Sequence, residues 1–170
     1  MTLIEVTVSM FVLFVAVGAT LGTLSSFAGL EESNRETMIA QMGAHRMIER
    51  LQAEDFRTLF ANYNAVPADD PGGAGTAPGA GFAVGGLDAQ DADPDGFVGL
   101  IMFPVAAPGV LREDTVDEDF AMPLDLNADG VVDALNHAND YVALPVRVRI
   151  EWQGRSGNRS VELQTLISFH

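Results

Sequence analysis

The sequence predicts an α+β fold, with one long N-terminal α-helix packed against a small antiparallel β-sheet. Three observations predict it. Residues 6–30 are an unbroken apolar run, residues 40–60 repeat apolar side chains at three- and four-residue steps, and residues 141–168 alternate apolar with polar on either side of a turn. At 170 residues the chain has room for about one domain.

The apolar run comes first. Its 25 residues carry no charge. As a helix rising about 1.5 Å per residue they would extend roughly 37 Å, enough to cross a bilayer core of about 30 Å. Apolar side chains lie all round that helix rather than along one stripe, so it expects lipid or protein on every side. A secretory signal peptide would show a basic start, a shorter apolar stretch and a small-residue cleavage site; here the first basic residue is Arg35. One carboxylate, Glu5, precedes the run. The helix dipole favours it there, yet a lone carboxylate beside so long an apolar stretch calls for a cationic partner. The terminal amine of a neighbouring packed chain would supply one.

Thr2-Leu3-Ile4-Glu5-Val6 followed by a long apolar helix resembles the mature N-terminus of type IV pilins and type II secretion pseudopilins. The resemblance covers residues 1–30 and implies a pilin-like fold. It implies that the chain as written is the mature form, cut by a prepilin peptidase before Met1, where the family commonly has Phe, and methylated on the new amine. It further implies an inner-membrane storage form, an assembly machinery that extracts it, and a helical homopolymer in which Glu5 neutralises the amine of an adjacent subunit. Met1, Glu5, Phe11, Phe14, Gly18 and Gly22 would then be assembly residues. The glycines have two readings: close packing through small residues, or a segment that unwinds on assembly, as in some pilins. The Pro that often marks such a segment is absent, and Gly22 stands in its place.

The helix is expected to continue to about Asn62, since no Pro follows the run. Ala40, Ala44, Met47, Ile48, Leu51, Leu59 and Phe60 form its buried stripe, with Arg46, Glu49, Arg50 and Glu54 between them. His45 reads as an ordinary surface or groove residue. The chain thus divides into an apolar helix over 1–30, an amphipathic continuation over 31–64, and a loop-rich β domain over 65–170.

Residues 65–96 are dense in Gly, Ala, Pro and Asp and read as loops, with one short strand near residues 82–84. Two acidic clusters stand out beyond. Asp125-Leu126-Asn127-Ala128-Asp129-Gly130 matches the opening of an EF-hand loop, D-x-[DN]-x-[DN]-G. Alternation would let Asp125, Asn127 and Asp129 point at one Ca²⁺, with the Val131 carbonyl and Asp133 completing the set and Val132 packing inward. It also looks like the calcium repeat of dockerin domains. The twelfth position is Asn136, where an EF-hand has Glu. Asp91-Ala92-Asp93-Pro94-Asp95-Gly96 has the same start without the second half. The alternative for both is a plain acidic turn. The run from Asp114 to Asp119 reads as a solvated acidic turn. A bound ion would be structural, pinning loops that have little core of their own.

The C-terminal end is β. Residues 97–105 read as a buried strand. Val142, Leu144, Val146, Val148, Ile150 and Trp152 share one face of the next, with Arg147, Arg149 and Glu151 on the other. Residues 153–158 form the turn, and Val161, Leu163, Thr165 and Ile167 return. This hairpin weakly resembles the closing strands of minor pilins.

Composition excludes several classes. The net charge is −15, with 15 acids against one base between residues 66 and 140. Nucleic acid is therefore not an expected partner. No cysteine is present, so disulfide scaffolds and thiolate sites are out. The three histidines are scattered and suggest no His-rich metal site. No Ser/His/Asp arrangement, phosphate loop or catalytic carboxylate pair is visible, and the expectation is a non-enzymatic subunit of an extracellular filament. The alternatives are a minor pilin or pseudopilin of a secretion or DNA-uptake machine, and a membrane-anchored calcium-dependent binding module.

Overall fold

The structure, a computed structural model, describes residues 2–91, 93–155 and 157–169, with the backbone alone described at 25, 26 and 28. The apolar run and the amphipathic stretch form one helix, α1 (Leu3–Ala53), of 51 residues. At 1.5 Å per residue that is about 76 Å. Hydroxyls in its apolar half bond back to their own helix. Thr7 Oγ1 donates to the Ile4 carbonyl at 2.9 Å, Ser9 Oγ to Glu5 at 2.7 Å, Thr20 Oγ1 to Ala16 at 2.8 Å and Thr23 Oγ1 to Thr20 at 2.8 Å. These four therefore ask nothing polar of their surroundings.

The expectation of one helix to Asn62 is corrected. A second helix, α2 (Phe56–Tyr63), follows a two-residue break. Glu54 takes ψ 164°, and Asp55 caps α2, its Oδ1 accepting the Arg57 N–H at 3.1 Å. Asp is a strong N-cap because its carboxylate satisfies a first-turn N–H that the helix leaves orphaned. A distant side chain helps to set α2. The Tyr141 hydroxyl accepts the Phe60 N–H at 3.1 Å and donates to the Phe56 carbonyl at 2.6 Å. It bridges a pair that an uninterrupted α-helix joins directly.

Among the described residues six strands follow: β1 (Gly81–Phe82), β2 (Gly99–Met102), β3 (Val105–Ala107), β4 (Val110–Leu111), β5 (Ala143–Gly154) and β6 (Gly157–Ser168). The main sheet has the order β1-β2-β5-β6 with every pairing antiparallel; β3 and β4 form a separate ribbon. The expected strand over 97–105 narrows to β2, and its tail turns into that ribbon. The expected turn over 153–158 is tighter, because the β5–β6 ladder runs from Ala143↔Ser168 to Gly154↔Gly157. Gly157 has φ +113°, a region a side chain would strain.

The core lies between α1, α2 and the sheet. Ala40, Ala44, Met47 and Leu51 meet Val146, Val148, Ile150 and Trp152, all buried, with Leu59, Phe60 and Tyr63 from α2 beneath. A Cβ at Gly43 would come within 3.0 Å of Val84 and 3.3 Å of Ile150, so a glycine there lets helix and sheet close up. The expected stripe is thus buried, Ile48 only in part, and Trp152 is a core residue. Val142 departs from its expected face: it precedes β5 and is exposed. Two polar ties fix α1 to the hairpin. Trp152 Nε1–H donates to Glu36 Oε2 at 3.1 Å, and the Arg159 guanidinium donates to the Ser33 carbonyl at 3.1 Å and to its hydroxyl.

Candidate functional site

Two surfaces can carry function: the apolar half of α1, and the acidic loops with the charged residues that close them. The first is plain. Among the described residues, α1 is the one helix long and apolar enough to cross a membrane. Phe11 is 69% and Phe14 68% exposed, and Leu3, Ile4, Val12, Leu13, Leu21 and Leu24 are exposed with them. Glu5 lies at the start of this surface, its Oε2 accepting the Thr2 N–H at 3.2 Å, the reach of an N3 glutamate back to its N-cap. An added Cβ at Gly18 or Gly22 would meet nothing within 4 Å. Met1 lies outside the described residues.

The loop of residues 125–133 is wound about its own carboxylates. Asp125 Oδ2 accepts the Gly130 N–H at 2.8 Å, Asn127 Oδ1 accepts Asp129 N–H at 3.0 Å, and Asp129 Oδ1 accepts Val131 N–H at 2.8 Å. Ala128 and Gly130 take φ of +61° and +89°, so the chain turns sharply within the loop. Asp125 Oδ1 is buried and has no hydrogen-bond partner. Asn136 is held elsewhere: its Oδ1 accepts the N–H groups of Leu111 at 3.0 Å and Ala138 at 3.1 Å, tying the loop's end to β4. Val131 and Val132 are exposed, so Val132 does not pack inward as expected.

The loop is clamped from below by Glu113, which is wholly buried. Glu113 Oε1 accepts from Leu126 N–H at 2.7 Å and Asn127 N–H at 3.2 Å, while Oε2 accepts from Asp133 N–H at 3.2 Å. One carboxylate thus satisfies three backbone donors at both ends of the loop, which is how a buried charge is tolerated. Beside it sits His137, 3% exposed. Its Nε2 lies 3.1 Å from Asp133 Oδ1 and 3.8 Å from Glu113 Oε2, and its Nδ1 lies 3.2 Å from Asp140 Oδ1. Burial of the ring disfavours its charge, but the hydrogen bonds to Asp133 and Asp140 and the Glu113 charge outweigh burial and raise its pKa. Asp133 is lowered, first by the Leu135 N–H donated to its Oδ1 and then by His137.

The second acidic cluster is looser. Asp93 Oδ1 accepts Asp95 N–H at 3.3 Å and Asp95 Oδ1 accepts Phe97 N–H at 2.9 Å, with Gly96 at φ +69°. Asp91 and Asp95 are exposed, and Ala92 lies outside the described residues. The Asp114–Asp119 run is partly neutralised rather than free. Arg112 Nε bonds Asp114 Oδ1 at 2.8 Å. Arg147, expected on an outward face, is buried; its Nη2 lies 3.0 Å from Asp119 Oδ2 and its guanidinium 4.4 Å from the Phe120 ring centre.

The structure therefore gathers Asp125, Asn127, Asp129 and Asp133 in one loop and leaves Asp91, Asp93 and Asp95 in another. Glu113 and His137 are the residues that sequence reading missed. They lie 24 positions apart, and their only local signal is a glutamate and a histidine set among aspartates. No family model, curated protein or solved structure matches the chain.

Proposed function

We propose that the chain is a non-enzymatic structural subunit of a type IV pilus-like extracellular filament, with a pilin-like architecture. It is stored in the inner membrane through the apolar half of α1 and assembled into a helical homopolymer. The observation that carries this reading is the exposed apolar surface of residues 3–24, on a helix whose far half buries one face in a domain. Such a surface needs lipid before assembly and other copies afterwards. Glu5 supports it further: at the start of that surface, it would pair with the amine of a neighbouring subunit. In this reading a prepilin peptidase and an assembly machinery act on the chain, and the acidic loops face outward.

Two related readings differ in role. A minor pilin or pseudopilin would use the same helix to prime a secretion or uptake machine. A membrane-anchored calcium-dependent module would use it only to insert; the unpartnered Asp125 Oδ1 in the 125–133 loop favours a structural Ca²⁺ there, compatible with any of the three. Electron microscopy of material sheared from producing cells, with mass spectrometry, separates them. Uniform filaments made mainly of this chain with an N-methylated Met1 are expected, and Glu5→Ala should abolish them while leaving membrane insertion intact. Glu5→Ala filaments indistinguishable from wild type would sink the proposal.

A further inference from the structure

We propose that His137 Nε2, Glu113 Oε2 and Asp133 Oδ1 form a binding site for a borderline divalent metal ion of the Zn²⁺ type, sharing Asp133 with the oxygen-lined loop above it. The three donor atoms lie within 4.8 Å of one another. Bonds of about 2.0–2.1 Å at tetrahedral angles would set such atoms roughly 3.4 Å apart. The observed Nε2 separations, 3.1 and 3.8 Å, bracket that distance.

The surroundings of the imidazole carry the case. Asp140 holds Nδ1 from the other side. A neutral imidazole with its proton on Nδ1 then turns the Nε2 lone pair toward two carboxylates. That arrangement, a carboxylate fixing the far nitrogen so that the near one can ligate, is the usual outer support of a metal-bound histidine. Two carboxylates facing one lone pair repel unless a cation, either a metal ion or a second proton on the ring, lies between them. A proton on Nε2 can be shared with Asp133 at 3.1 Å, but at 3.8 Å it is beyond hydrogen-bond reach of Glu113 Oε2, whose one donor among the described residues is the Asp133 N–H. An ion at the centre of the three satisfies all of them, and its two charges balance the two carboxylates. One nitrogen and two oxygens suit Zn²⁺ and its neighbours; Ca²⁺ prefers six or more oxygens. Asp133, about one-third exposed, leaves an approach for the ion and for a water as fourth ligand. The metal would lock residue 113 to residues 133 and 137, which brace the loop. This site does not depend on the filament reading.

The test is Zn²⁺ titration by calorimetry of the full chain in detergent, stripped beforehand with chelator, with X-ray absorption at the zinc edge. One Zn²⁺ per chain is expected, with a light-atom shell that includes one imidazole, and a tenfold excess of Ca²⁺ should not displace it. His137→Gln should weaken binding by more than tenfold and Asp140→Asn by about 10- to 100-fold. His45→Gln and Asp129→Asn should leave it unchanged. Circular dichroism checks that each variant is folded. If His137→Gln does not fold, the decision passes to the imidazole signature in wild type together with the Asp140→Asn and His45→Gln affinities. No Zn²⁺ binding, a zinc shell without imidazole, or binding lost in His45→Gln but kept in His137→Gln would overturn the proposal.

Discussion

Phe11 and Ala40 stand on the same helix, about eight turns apart, in opposite surroundings: Phe11 is largely exposed and Ala40 wholly buried. The N-terminal half of α1 is richer in large apolar residues, yet its described side chains are the exposed ones. The C-terminal half buries small residues, Ala40 and Ala44, against β5 and β6, with Gly43 beside them. Hydrophobicity therefore does not by itself say where a core will be. The half that folds into the domain has a polar face and a flat one, so a sheet can approach it; the other half, apolar all round, can be covered only by lipid or by more helices like itself.

That contrast predicts opposite outcomes for similar substitutions. The largest effect belongs to the core. Trp152→Ala should cost about 3–5 kcal/mol through lost contact and a residual cavity, read by calorimetric unfolding of the full chain in detergent. Phe14→Ala, which empties no cavity within the chain, should leave the domain's unfolding unchanged and, under the filament reading, reduce assembly. A comparable loss of stability from both would erase the distinction. Next comes Glu113→Ala, expected to cost about 3 kcal/mol or more because three backbone donors lose their acceptor. Loss of amide-exchange protection at Leu126, Asn127 and Asp133 would check it.

Tyr141→Phe should cost about 1–2 kcal/mol, since the hydroxyl serves two backbone groups of α2. Chemical denaturation measures this, and a neutral result would mean that Phe60 N–H and Phe56 carbonyl re-pair directly. The smallest pair is the most diagnostic. Gly18→Ala should be neutral or raise helix stability by about 0.5–1 kcal/mol, as nothing lies within 4 Å of the new methyl group. Gly43→Ala should lower stability by about 1 kcal/mol, because Val84 and Ile150 must give way. Thermal unfolding of the two variants should move in opposite directions, or only in the second.

The elements legible in the sequence were those with a long, regular signal. The uncharged run, the 40–60 stripe and the β5–β6 alternation each repeat over ten residues or more, and each lies where the pattern put it. Two of the failures share a cause: a single side chain overrides the pattern. Asp55 caps a new helix inside a stretch that reads as continuous, and Tyr141, 81 and 85 positions away from its two partners, supports it. Arg147 obeys the strand's alternation but finds Phe120, Asp117 and Asp119 folded over it. Pro108-Gly109 carries a turn signal, yet the short β3–β4 ribbon around it has too few residues to show a period. At the candidate site the Asp-x-Asn-x-Asp-Gly winding was legible because its hydrogen bonds are local. Glu113 and His137 were not, since what matters about them is their meeting.

The ties from Ser33 and Glu36 to Arg159 and Trp152 have a geometric consequence. They act at two neighbouring positions of the helix, while Ala40 and Ala44 fix its face further along, so the head cannot swivel about the rod. Every copy presents its acidic loops at one azimuth relative to its apolar surface. In any regular array of such rods the negative charge would therefore be arranged with the same screw symmetry as the rods, as ordered stripes on the exterior.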